Sequence, residues 1–314
     1  MNKEEKERIL KCVIAQINKE RTPRKSHHFK RAAVIALAAV MVIACGAFTV
    51  KVLHLDSRLA ALLGGTSDQI EQCVTNINAS MEKNGIRVEA KQAVGDGHRV
   101  YILMEFTSLT DMKFDRTSYF EYCDVDLKEP VSQSVSLGPV SDAVSRDGKK
   151  LNFKLEITSE APLNEQDVTL KLKNFGKMIN VEEGKEQVLI KGNWKLRFHL
   201  RYKEVSRSFN PKAEIPLGKG TIRINKATIS PISCFLEASV SKYADDVEAE
   251  WADLGGIKVK MKDGSQLPVL IDGSSWISGD EHSEGTIEGT FGKLIDMNQI
   301  KGLLIEGREI PLLR

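Results

Sequence analysis

The 314-residue chain lacks the marks of most specialised classes. Five cysteines are too few for the disulfide framework of a small secreted scaffold. Nine prolines and 23 glycines exclude collagen-like and low-complexity character. With 45 basic against 43 acidic residues, the excess of positive charge usual in a nucleic-acid-binding protein is missing. Long hydrophobic runs are missing too, save one, and a mean hydropathy of −0.24 excludes a polytopic membrane protein but not a single span. No nucleophile elbow, H-E-x-x-H helix, P-loop or dinucleotide fingerprint occurs. The histidines that follow the apolar run, His54, His98, His199 and His282, stand alone in separate segments. No catalytic residue, cofactor or metal site is therefore expected, and no enzyme activity.

What is present is a length suited to about two domains with accessories, and enough apolar residues (41%) beside 28% charge to fold as a globule. The charge is unevenly divided. Residues 1–31 carry ten basic and four acidic residues, a net of +6, and the rest of the chain carries a net of −4. Between them Ala32–Val50 reads AAVIALAAVMVIACGAFTV, 19 residues without charge or proline. At about 1.5 Å per residue this approaches the thickness of a bilayer core, and Val52 and Leu53 extend it. Arg21, Arg24, Lys25, Lys30 and Arg31 precede the run, so the positive-inside rule puts the N-terminus in the cytoplasm and the remainder outside. The expected location is the cell membrane, with one span over 32–53. A cleaved signal sequence usually has a shorter lead and core than this. Cys45 loosely follows a lipobox pattern but sits within the apolar run, where a small buried residue is the plainer reading.

In the tail, Ile9, Leu10, Val13, Ile14 and Ile17 fall on one face of a helix, with Glu4, Glu5 and Glu7 at its start, Lys19 and Arg21 near its end and Pro23 closing it. One short helix cannot bury such a stripe alone. It calls for a cytoplasmic partner protein, another copy of itself or the lipid of the inner leaflet. Cys12, His27 and His28 match no zinc spacing.

After the run, residues 54–68 suggest a short helix carrying Leu55, Leu59, Leu62 and Leu63 and stopped by Gly64-Gly65. Ile70, Val74, Ile77 and Met81 predict a second helix, closed by Asn84-Gly85. From Ile86 the period becomes two: 86–94, 99–107, 119–126, 151–158, 168–175 and 194–202 alternate as half-buried strands. Residues 206–218, with two prolines, are the expected linker. A second set of strands follows through 303–306, with Asp263-Gly264 and Asp272-Gly273 as hairpin signals. The fold class is mainly β: two β-sandwiches of the immunoglobulin-like kind, over 54–205 and 219–314, behind a membrane helix and a short cytoplasmic helix.

Several residues invite sharper readings that plainer ones outweigh. Asp280, Glu281, His282 and Glu284 form a cluster without calcium-loop spacing. Trp194, Trp251 and Trp276 would make a glycan platform only if brought together, and Trp194 lies in a strand where a core role is the default. Asn210-Pro211 suits a turn. Cys73, Cys123 and Cys234 are odd in number and in apolar contexts, which favours buried free thiols.

The stretch from His54-Leu55-Asp56 through Ile86–Thr107 resembles the N-terminal part of an uncharacterised ectodomain family of Gram-positive bacteria, of the domain of unknown function 4179 type. Gly192-Asn193-Trp194-Lys195-Leu196-Arg197-Phe198 is similar to that family's closing strand, and Lys226-Ala227-Thr228-Ile229-Ser230-Pro231 to the opening of its C-terminal companion domain. The resemblance covers roughly residues 50–314. It implies a single-pass, anti-sigma-factor-like membrane regulator, with an extracytoplasmic-function sigma factor or another cytoplasmic protein as partner and an unknown envelope ligand. It supplies no catalytic residues. The tail lacks the His-Cys-Cys zinc motif of well-studied anti-sigma domains. The alternative expectation is an envelope-anchored binding or structural protein with no signalling role.

Overall fold

A computed structural model describes residues 55–65, 68–128, 133–180, 185–217, 220–241, 256–278 and 282–312. The stripe from Ile9 to Ile17, the apolar run 32–53, Cys45, Trp251, Asp280 and Glu281 lie outside the described residues. Among the described residues no helix is long and apolar enough to cross a membrane. The chain divides into two compact units, Met1–Met41 and Val42–Arg314, and every described residue belongs to the second.

That unit is mainly β, and all its strand pairs are antiparallel. Strands β1 (Val74–Lys83), β2 (Ile86–Gly95), β3 (Arg99–Ser108), β6 (Lys150–Ser159) and β5 (Gln133–Val144) form a sheet in the order β1-β2-β3-β6-β5. Strands β4 (Ser118–Leu127), β7 (Asp167–Asn180) and β8 (Lys185–His199) form a second sheet. The two share one core, because period-two alternation sends Val88, Ile102, Phe106 and Leu155 from one sheet against Phe120, Leu170, Phe175 and Trp194 from the other.

A second pair of sheets follows. One holds β10 (Ala213–Leu217), β11 (Gly220–Ile229), β12 (Ser233–Ser241), β16 (His282–Thr290) and β15 (Leu270–Ser278) in that order, with β9 (Arg207–Phe209) also on β11. The other holds β14 (Gln266–Pro268), β13 (Lys258–Met261), β17 (Ile300–Ile305) and β18 (Arg308–Pro311). Ile224, Leu236 and Ile287 meet Val259, Leu303 and Ile310 in their core.

A third, smaller cluster joins the parts. Helix α1 (Ser57–Leu62) is capped by the Asp56 side chain, which accepts from Arg58 N, and a short helix α2 (Asp68–Glu71) follows. Leu59, Leu63 and Ile70 cover the outer face of the β1–β3 sheet at Val94, Tyr101 and Leu103, and Ile232 reaches the same cluster from the second pair of sheets. Strand β3 is therefore buried on both faces for nearly its whole length, which explains why RVYILMEF alternates so weakly.

Three expectations from the sequence are corrected. The second helix is confined to Asp68–Glu71, and Val74–Lys83 is strand, since Ile77, Ala79 and Met81 pack on the first core at a spacing of two. The segment 206–218 is not a free linker: β9 and β10 lie end to end along β11, and Ile215 is buried in the second core. Asp272-Gly273 is not a hairpin turn but an irregularity inside β15, where Ile271 and Gly273 face consecutive residues of β16.

Candidate functional site: a cleft between the two sheet pairs

The site begins at the β2–β3 hairpin, Gly95-Asp96-Gly97-His98. The Asp96 carboxylate is 2% exposed. One oxygen accepts from the backbone N–H of His98 (2.9 Å) and Arg99 (2.8 Å). The other accepts from the hydroxyls of Ser230 and Ser233, each at 2.5 Å, on the turn between β11 and β12. Ser230 Oγ in turn accepts from the N–H of Ile232 and Ser233, and the Tyr202 hydroxyl donates to the Asp96 carbonyl at 2.5 Å. A buried charge is tolerable when its lone pairs are filled in this way. Beside it the His98 ring stacks on Phe235, with centroids 3.9 Å apart and planes 3° from parallel.

Hairpin and joint together aim Arg99, which is 4% exposed, out of β3. Its guanidinium donates to Glu156 on β6, and to Asp272 on β15 at 2.6 Å. Lys154 holds the other Glu156 oxygen at 2.6 Å. Burial works against the Arg99 charge, but Tyr101, Asp272 and Glu156 overcome it and hold its pKa above the ordinary value. Glu288 on β16 is different. Burial pushes its carboxyl pKa up, and Arg99 and the Thr158 hydroxyl only partly offset this.

Of these residues, Arg99, Glu156, Thr158, Asp272 and Glu288 line a cleft of about 380 Å³. Its floor is the outer face of the first sheet, Ser134 and Ser136 of β5 with Glu156 and Thr158 of β6, and its wall is Asp272–Ser275 of β15. Four carboxylates, Glu156, Glu160, Asp272 and Glu288, stand against one guanidinium. The lining offers hydrogen bonds and negative charge to a polar, cationic ligand.

The candidates singled out in the sequence lie elsewhere. Trp194 is buried in the first core, and Trp276 packs beside the second. Cys73 and Cys234 are buried and Cys123 is half-buried; burial pushes all three thiols up to about 12, so they stay protonated near neutral pH. His199 lies between Asp167 and Glu165 on an exposed surface, and His282 faces Glu284. Among the described residues no group of three His, Cys, Asp or Glu side chains could hold a metal ion. The residues that build the cleft carry no signal of their own in the sequence, apart from the Gly-Asp-Gly turn that places Asp96.

No protein-family model matches this sequence, and no curated protein matches it. Among solved structures, a conserved domain protein from Bacillus anthracis is similar in fold, with a TM-score of 0.53 and 14% identity over 76% of this chain and 78% of that one. At that identity the likeness speaks for the fold alone.

Proposed function

We propose that the chain is a single-pass envelope receptor of the anti-sigma-factor-like kind, with its tail in the cytoplasm and its β body outside, binding a ligand in the cleft. On this reading each sheet pair is an immunoglobulin-like sandwich, and the stripe Ile9, Leu10, Val13, Ile14 and Ile17 docks onto a sigma factor or another cytoplasmic protein. The observation that carries it is the seating of α1. The chain leaves the apolar run and is at once fixed to the body: Asp56 N donates to Gln92 Oε1 at 2.7 Å, Arg58 donates to Asn152 at 2.5 Å, and Leu59 is fully buried. Leu59 shares its cluster with Ile232, beside the Ser230–Ser233 turn that Asp96 holds. A ligand that shifts the joint therefore has a packed route to α1, the first described element after the apolar run.

A sigma-dependent reporter tests this in cells. Ile14→Glu places a charge where an apolar contact is worth roughly 1.5–3 kcal/mol, so it should free the partner and change output by about tenfold or more. Gln16→Glu, off the stripe, should do little. Leu59→Asp, which undocks α1, should also change output while the protein remains in the membrane. Equal output from all three and from wild type would end the signalling reading and leave an envelope-anchored binding protein.

A further inference from the structure

Strand β15 ends its sheet, and among the described residues it pairs only with β16. Successive residues of a regular strand point to opposite faces, but the irregularity at Asp272-Gly273 breaks that alternation and lets consecutive residues of an edge strand border one cleft. Asp272, Gly273, Ser274 and Ser275 do this. β15 (LIDGSSWIS) carries neither lysine nor proline; its irregularity and Asp272, which is engaged by Arg99, lie at Ile271–Gly273, and Ser274 and Ser275 follow without either device. Its small side chains leave the backbone open to close approach. The opposite wall offers the hydroxyls of Ser134, Ser136 and Thr158. The sign of the lining disfavours an anionic occupant, and the one guanidinium is already engaged by Glu156 and Asp272. Glu288 borders the cleft too, bonded to the Thr158 hydroxyl, while Arg99 beside it forms its ion pairs with Glu156 and Asp272. The volume sits near the low end of the roughly 300–1,000 Å³ of ligand clefts.

We propose that the cleft takes an extended peptide segment bearing lysine or arginine, which adds to the free edge of β15 as a further strand. Main-chain hydrogen bonds to β15 would supply affinity, and a basic side chain reaching Glu288 would supply selectivity. The inference rests on the receptor reading only in placing the cleft outside the membrane.

The test uses the full chain in lipid nanodiscs and a fluorescent hexapeptide alternating lysine and threonine. The peptide should bind, and more tightly at low salt. N-methylation of alternate peptide nitrogens, which deletes main-chain donors without changing charge, should weaken binding at least tenfold. The pair Glu160→Gln and Glu288→Gln should weaken it about tenfold. Spermidine, cationic but without a peptide backbone, should not compete at matched charge. Absence of binding at millimolar peptide, equal binding of the N-methylated form or full competition by spermidine would each overturn the proposal; all three use the wild-type protein and need no variant to fold. Peptide binding with an unresponsive reporter would sink the signalling reading alone, and a responsive reporter without peptide binding would sink this one alone.

Discussion

Asp96 and Glu288 are both carboxylates under cover, and they differ in how they are bonded. Asp96 has four donors within 2.9 Å and serves the joint. Glu288 is half-buried, and burial raises its pKa with only partial compensation from Arg99 and Thr158. The folded protein thus holds the Glu288 proton more tightly than the unfolded chain does. The contribution to stability is full below the unfolded value, near 4.3, and is lost as pH rises through the higher folded value. At neutral pH the charge opposes folding. Glu288→Gln should accordingly raise the thermal midpoint at pH 7, and the gain should fade as pH drops below about 4. Paired thermal scans at the two pH values check this, and an unchanged midpoint at pH 7 would mean that water reaches the carboxylate freely. A group kept at a cost in stability is what a binding site for a cation would retain.

At the scale of elements, β1 shows how a strand can look like a helix. Val74 is buried in the joint cluster, while Ile77 and Met81 pack on the first core, so their helical spacing spans two faces of one bulged strand. Pairing with β2 runs from Val74 to Asn76, slips, and resumes at Ala79, and Asn78 takes φ 52° in the slip. That left-handed conformation suits Asn and Gly and resists β-branched residues. Asn78→Gly should be nearly neutral, whereas Asn78→Val should cost about 1–2 kcal/mol, measured by urea unfolding. A cost for valine no larger than for glycine would argue that the bulge is absent. Where turn chemistry is local, the sequence is legible: Asn84-Gly85, both at positive φ, makes the β1–β2 turn, and Asp263-Gly264 joins β13 to β14. The same dipeptide at Asp272-Gly273 misleads, because an irregularity and a turn ask for similar residues. Strand β5 is hidden by Gly138, Pro139 and exposed serines, as suits an edge. The cleft is illegible for a different reason. Arg99 and Asp272 are 173 positions apart, and only the docking of one sheet pair on the other brings them together.

For the molecule as a whole, the question is what makes two cores behave as one body. The first core draws on residues from Ile86 to Tyr202 and the second on residues from Ile215 to Ile310. They meet through the third cluster, the Arg99–Asp272 ion pair and the Asp96 clasp. Of these the clasp is the most fully hydrogen-bonded, so it is the place to break. Asp96→Ala leaves two serine hydroxyls and two backbone N–H groups without their acceptor, at about 1–3 kcal/mol for each that water cannot reach. The loss falls between the cores rather than inside either. Calorimetry should therefore show one transition for the β body of the wild type and two for Asp96→Ala, one sheet pair melting ahead of the other. The peptide should then bind Asp96→Ala more weakly although no cleft residue has changed, because β15 is no longer held over the face of the first sheet. A single transition, merely moved to lower temperature with peptide binding intact, would show that the cores are coupled through Leu59, Tyr101 and Ile232 instead. The route from cleft to α1 would then have to pass through that apolar cluster and not through the carboxylate.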